Sequence, residues 1–353
     1  MTLQAPDSLT AIVRQVDAQL AQTVSDQRVR WTGVDANLEL PLSEIERLVL
    51  SGGKRIRPAF CYWGFRAAGG DEQSTTPIRV GAAIELLHVF ALFHDDIMDG
   101  ALTRRGQVTS HTSLATLHNS SKWAGESRRF GEGAAILIGD LTHVMSDQLL
   151  GDIPDAARHV WHEMRLEVNV GQYLDMWGSA TRDRSRETAQ RICRYKSAKY
   201  TIERPLHLGA LTADVERGMQ LLPVLSQYGL PLGDAFQLRD DILGVFGDMA
   251  VTGKPVGDDL REGKPTLLLA YAYENANGAQ RQVLDRVGVL ELSTQDIADM
   301  QTVIVETGAL QDVETTITSL QHEALAALQQ SNIDTLSLTA LQQLADYVTD
   351  RID

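Results

Sequence analysis

Apolar residues recur at helical spacing along nearly the whole chain. Leu9, Ile12, Val13, Val16 and Leu20 follow one another in steps that place them on one helix face, so an amphipathic helix is expected at the start. The same period predicts helices over Leu38 to Leu50, Pro58 to Ala68, Ala134 to Leu150, Asp155 to Trp177 and Leu221 to Leu230. It continues from Leu267 to Asp353, a stretch without ionic clusters that reads as scaffold. Strand signals are nearly absent: Thr302 to Val305 is the best of them and reads as helix among helical neighbours. An all-α fold follows. The polar, Gly- and Ser-rich residues 119–132, between His118 and Gly133, interrupt the period and predict a long surface loop.

One stretch departs from the amphipathic pattern. Ile84 to Phe93 is apolar apart from Glu85 and His88, and it runs directly into His94-Asp95-Asp96-Ile97-Met98-Asp99, before Gly100 stops the helix. On a helix Asp95 and Asp99 are i and i+4 and share a face, with Asp96 about 100° away. Like charges at that spacing repel, and the surroundings are too apolar for a solvated face, so a cation belongs between them. All-oxygen ligands favour Mg²⁺, which keeps waters and shares its shell with a substrate phosphate. A second acidic pair, Asp240-Asp241, ends a similar apolar run, Phe236-Gln237-Leu238-Arg239-Asp240-Asp241-Ile242-Leu243-Gly244.

Cations gather in separate segments. Gly52-Gly53 precedes Lys54-Arg55-Ile56-Arg57-Pro58, where side-chain-free backbone lets an anion approach and Lys54 and Arg57 can clamp it. Arg104-Arg105 follows the first acidic cluster, and two adjacent guanidinium groups suit two anions side by side. Lys196, Lys254 and Lys264 come later, the last two in turn-rich sequence that can hang over the second acidic pair. A helical bundle that brings both acidic clusters across one cavity, with Mg²⁺ between them and a polyphosphate held by Lys and Arg, accounts for this arrangement. A di-iron bundle is excluded by the lack of paired Glu-x-x-His motifs, and a P-loop or Rossmann fingerprint is absent.

With 353 residues, 43% of them hydrophobic and 22% charged, the chain can bury a sizeable core, and it reads as a single domain, 1–353. The balance of 32 Lys+Arg against 47 Asp+Glu, 32 − 47 = −15, argues against a nucleic-acid or anionic membrane surface. Cys61 and Cys193 have neither metal-ligand nor CxxC spacing, which suits a reducing compartment without structural disulfides. No basic start followed by an apolar core is visible at Met1 to Asp7, and the long apolar runs are broken by Glu, His or Asp. The expectation is a cytoplasmic protein without a transmembrane segment.

In order along residues 52–266, these motifs resemble the trans-type (E) isoprenyl diphosphate synthases, the farnesyl/geranylgeranyl diphosphate synthase family. The resemblance rests on Gly52 to Pro58, Asp95-Asp96-Ile97-Met98-Asp99, Arg104-Arg105-Gly106, Gly171-Gln172, Lys196-Ser197, Gln237 to Asp241, and Thr252-Gly253-Lys254-Pro255 through Gly263-Lys264. It implies the isoprenoid synthase fold, an orthogonal helical bundle around a central cavity, usually as a homodimer. It implies that Gly53, Lys54, Arg57, His88 and Arg105 bind isopentenyl diphosphate, a role that lifts His88 out of the ordinary reading of a core histidine. Arg104, Lys196, Lys254 and Lys264 would hold the allylic diphosphate. Asp95, Asp99 and Asp240 would ligate Mg²⁺, with Asp96 and Asp241 on metal-bound waters or lysines, and Gln237, Ser197 and the Lys196 carbonyl would stabilise an allylic cation. Two positions depart from the family pattern: Gly244 stands where the second motif often closes with Asp, which makes that carboxylate dispensable, and Ser197 stands where Thr is common.

A single aromatic, Phe90, five residues before Asp95, with the small Ala91 after it, resembles the geranylgeranyl pattern and points to a C20 product. Farnesyl or longer products are the alternatives. A class I terpene cyclase would lack the cations of the isopentenyl diphosphate site, and a non-catalytic synthase subunit would have lost motif residues that are present here.

Overall fold

The structure is a computed structural model that describes residues 5–247, 256–289 and 291–350; Lys254 lies outside the described residues. The first half consists of α1 (Asp7–Thr32), α2 (Glu39–Leu50), α3 (Ile56–Ala67), α4 (Thr76–Met98), α5 (Ser110–Ser120), α6 (Ser127–Leu150) and α7 (Asp155–Thr181). Between α4 and α5 a two-residue antiparallel ribbon, β1 (Thr103–Arg104) and β2 (Gln107–Val108), pairs Thr103 with Val108. There follow α8 (Arg186–Ile192), a π-helix (Cys193–Glu203), α9 (Arg204–Ala213) and α10 (Val215–Phe246). The chain closes with α11 (Asp258–Glu262), α12 (Leu267–Asn275), α13 (Gly278–Leu284), α14 (Thr294–Glu306), α15 (Ala309–Gln329) and α16 (Thr335–Thr349). Thr302 to Val305 is thus helical, and the all-α expectation holds.

α4 explains itself by its surroundings. Val80, Ile84, Leu87 and Phe90 face one apolar cluster and Ala82, Leu86, Val89 and Phe93 another, so the helix is buried nearly all round and has no polar stripe to lose. Its 23 residues are long and apolar enough to cross a membrane, although the sequence pattern put its charged and polar residues in the way of such a span. Here that apolarity is consumed by packing inside the bundle. A second core, under α10, α12, α14 and α15, supports the second acidic pair from below. α3 and α9 cross closely enough that a Cβ on Gly209 would stand 1.8 Å from the Cys61 carbonyl oxygen.

The structure corrects several expectations. Residues 119–132 are not a long loop: α5 runs to Ser120 and α6 begins at Ser127. Gly131, which signalled a loop, lies at a helix crossing, where a Cβ would sit 2.2 Å from the His111 carbonyl oxygen. α1 continues to Thr32, and α10 runs unbroken from Val215 through Asp240-Asp241, carrying Pro223 and Pro231 inside it. Pro231 is buried and Pro223 exposed, and packing along the rest of α10 outweighs the usual helix-stopping effect of proline. Cys61 and Cys193 are free and buried, as expected.

Candidate active site

The last turn of α4 delivers Asp95 and Asp96, and Asp99 caps it with its N–H donated to the Asp95 carbonyl at 2.8 Å. The ribbon then folds Arg104 back over this cluster: its Nε donates to Asp96 Oδ1 at 2.7 Å and its Nη2 to Asp95 Oδ2 at 3.0 Å. Arg105, in the left-handed region at φ 53°, turns the opposite way and donates to Ser51 Oγ at 3.0 Å and to the Gly52 carbonyl. The adjacent arginines therefore serve different segments, one the acidic motif and one the glycine turn.

α7 and the π-helix close the acidic cluster from the other side. Gln172 Nε2 donates to Asp95 Oδ1 at 3.0 Å, and Lys196 Nζ pairs with Asp175 and lies 3.3 Å from Asp95 Oδ1. The backbone at Lys196 comes so near that a Cβ on Gly171 would lie 2.2 Å from the Lys196 nitrogen. Burial works against the Lys196 charge, but Asp95 and Asp175 outweigh it and hold the ammonium protonated. Lys264 reaches in from the segment after α11, 3.4 Å from Asp99 Oδ2 and 3.7 Å from Asp259 Oδ1, with Glu262 also paired to it.

The second acidic pair is split. Asp240 lines a cavity of about 360 Å³ together with Gln237, Phe236 and Ser197. Asp241 turns inward and accepts from Gln237 Nε2 at 2.8 Å; burial pushes its carboxyl up to about 8 in spite of that bond. The same cavity is also lined by Gly53, Lys54, Arg57, His88, Arg104 and Arg105, four of them cationic. Arg57 stacks 4.6 Å above the Tyr200 ring and donates to Thr201 Oγ1 at 3.1 Å, while its buried Nε makes no hydrogen bond. A buried donor left over among cationic side chains fits an anion. Burial, then Arg57 and Arg105, hold the His88 pKa well below its ordinary value, so its ring is neutral and has one N–H to give.

Among the described residues no three carboxylate, imidazole or thiol groups close on one point, because Arg104, Lys196 and Lys264 stand between the aspartates. The donor set nevertheless suits a hard divalent ion. Asp99 Oδ2 is buried without a hydrogen bond, and burial followed by the Asp95 charge raises the Asp99 carboxyl above the usual range. Such a carboxylate gains from a metal cation more than from water.

Residues 41–306 match the family model described as polyprenyl synthetase. The chain belongs to the polyprenyl synthetase family. It is 33% identical over 315 residues to geranylfarnesyl diphosphate synthase of Aeropyrum pernix, covering 86% of this chain and 92% of that protein. It is 31% identical over 347 residues to geranylgeranyl diphosphate synthase of Methanosarcina mazei, covering 94% and 99%. Its structure superposes with TM-score 0.92 and 37% identity on geranylgeranyl pyrophosphate synthase from Corynebacterium glutamicum complexed with isoprenyl diphosphate and magnesium, covering 97% and 99%. This synthase thus has the all-α isoprenoid synthase fold and is a prenyltransferase.

Several residues that serve the synthase's site were not assigned a role from sequence. Arg55, the middle cation of Lys54-Arg55-Ile56-Arg57, is buried: its Nε donates to Asp17 at 2.8 Å, its Nη1 to Glu85 at 2.9 Å and its Nη2 to the Val49 carbonyl at 2.7 Å. It shares the cavity lining with Lys54 and Arg57, but its guanidinium is already taken by Asp17, Glu85 and the Val49 carbonyl. Gln172 and Asp175 are polar residues within the otherwise apolar period of α7, which is the signal that marks them. Asp259, Thr201 and Tyr200 carried no such signal.

Proposed function

We propose that this synthase condenses isopentenyl diphosphate with an allylic diphosphate in a magnesium-dependent reaction and that geranylgeranyl diphosphate is its product. The observation that carries this is one cavity lined both by Gly53, Lys54, Arg57, His88 and Arg105 and by Asp240, Gln237 and Ser197, with Arg104, also in its lining, bonded to Asp95 and Asp96. Gly53, Lys54, Arg57, His88 and Arg105 hold isopentenyl diphosphate. Arg104, Lys196 and Lys264, with Lys254, hold the allylic diphosphate, and Asp95, Asp99 and Asp240 are the residues that would bind magnesium, with Asp96 and Asp241 behind them. Bound there, magnesium supplies positive charge to the departing diphosphate.

Lys196 and Lys264 stabilise the same charge as the allylic C1–O bond breaks, an interaction stronger in the transition state than before it. The Gln237 amide, the Ser197 hydroxyl and the Lys196 carbonyl direct dipoles toward the allylic cation. C1 bonds to C4 of isopentenyl diphosphate, and the released diphosphate takes the proton lost from C2. Labelled isopentenyl diphosphate with purified protein and Mg²⁺ tests this: incorporation into an allylic acceptor is expected. A folded chain that incorporates none is a non-catalytic subunit.

The synthase acts as a cytoplasmic homodimer in this reading. Ile136, Leu137, Leu141 and Val144 on α6 are exposed, as are Leu166, Val170, Tyr173 and Trp177 on α7, with Leu137 at 64% and Leu166 at 61%. Large apolar side chains repeated at helical spacing on two helices form the kind of surface that a second copy covers. Leu166→Glu combined with Val170→Glu should halve the mass measured by light scattering while helix content stays unchanged. An unaltered mass puts the interface elsewhere.

A further inference from the structure

Arg104 and Arg105 stand at the end of a ribbon with only two residues in each strand, too short to hold its own shape in water. Arg104 pairs with Gln107, so Arg105 and Gly106 form a two-residue loop, with φ positive at both, 53° and 71°, as in a type I′ turn. Glycine enters that region freely and arginine at a cost. Charge adds to the cost: burial works against the Arg105 guanidinium and Arg55, Arg104 and Arg57 repel it, with Glu85 in its favour. A contact from outside the ribbon is needed to keep Arg105 in place ahead of an anion.

Thr109 closes the base of the ribbon, its N–H donated to the Leu102 carbonyl at 3.0 Å. The turn end is held from α2. Arg47 Nη1 donates at 2.8 Å to Gln107 Oε1, on the residue that follows the turn, and Nη2 donates at 3.1 Å to Ser110 Oγ at the start of α5. Glu44 fixes this fork: its Oε2 accepts from Arg47 Nη2 at 2.6 Å and from Ser110 Oγ at 2.5 Å, with the Glu44 side chain 12% exposed. The same end of α2 runs into Ser51 and Gly52, the two residues that accept from the Arg105 side chain. We infer that Arg47, held by Glu44, is the positioning residue for Arg105: it pins the turn to α2 and so keeps the guanidinium beside Gly53, where a Cβ would stand 3.4 Å from Arg105 Nη2. This rests on the reading that Arg105 holds isopentenyl diphosphate. Arg104 is tied separately to Asp95 and Asp96, so loss of Arg47 frees Arg105 far more than Arg104.

Calorimetric titration of the full chain with isopentenyl diphosphate, beside steady-state kinetics with farnesyl diphosphate and Mg²⁺, tests this. Arg47→Ala should weaken isopentenyl diphosphate about tenfold, in Kd and KM alike, with kcat at saturation and the KM for farnesyl diphosphate within about twofold. Arg47→Lys, which reaches Gln107 without the fork, should recover part of the loss. Gln107→Ala should reproduce the Arg47→Ala value, and the two together should be no worse than either. Ser110→Ala, which breaks only the bond to α5, should bind as the parent does. Melting curves report folding. Equal losses for both substrates overturn the proposal, and so does a Gln107→Ala chain with the parent's affinity. A parent chain that binds no isopentenyl diphosphate overturns the proposed function instead. Hydrogen exchange at residues 103–109, expected to quicken in Arg47→Ala and not in Ser110→Ala, then still decides whether Arg47 holds the turn.

Discussion

Replacing Asp95 by Ala should lower isopentenyl diphosphate incorporation about a thousandfold and move the melting temperature by only a few degrees. Asp95 is the hub of the acidic cluster, accepting from Arg104, Gln172 and Lys196. In the proposed reaction Asp95 would help hold magnesium, which would supply positive charge to the departing diphosphate, so its loss would fall on the transition state. Stability is a separate matter. Arg104 keeps Asp96, Lys196 keeps Asp175, and removal of Asp95 takes away a like charge that acts against ionised Asp99. Single-turnover incorporation and a melting curve on the same preparation check both halves. A variant that keeps most of its activity removes Asp95 from the chemistry.

Ala91→Phe should shorten the main product, from the proposed geranylgeranyl to farnesyl diphosphate, and Phe90→Ala should lengthen it. Ala91 is one helical turn from Asp95, so a ring there rises beneath the reacting end of the chain. Phe90 lies outside the lining of the cavity and packs on the α6 side, its ring stacked on His143 at 4.5 Å between centroids and edge-on to His94 at 4.7 Å. In the proposed reaction a growing prenyl chain that runs down α4 would meet this group of rings as its floor. Removing Phe90 opens the floor and costs about 3 kcal/mol of stability, so the product should be read at a temperature where the variant is folded. Chromatography of the dephosphorylated products gives the answer. An unchanged distribution in both variants takes residues 90 and 91 out of length control.

Much of this site was legible because its chemistry is local. Asp95 and Asp99 need only the helix period to share a face, and Gly52-Gly53 followed by Lys54 and Arg57 needs only a turn. Arg55 shows where that reasoning stops: it is as cationic as its neighbours, but Asp17 and Glu85, from α1 and α4, draw it inward. Residues 119–132 misled because glycine marks a turn in sequence and a close helix crossing in space, and the two look alike along the chain.

The π-helix that bears Lys196 has a consequence of its own. Its backbone is wound one residue looser per turn than the helices on either side, a form that ordinary propensity does not favour. Neighbours hold it open: Thr201 takes a bond from Arg57, Lys199 pairs with Glu167, and Ser226 donates to Glu203 at 2.7 Å. The stretch behaves as slack stored in the chain. Deleting one residue from it would let it tighten into a regular helix and swing Lys196 by about 100° relative to α9, away from Asp175, with the rest of the bundle undisturbed. Looser winding at one place in the chain is thus a means of aiming a side chain without moving a helix.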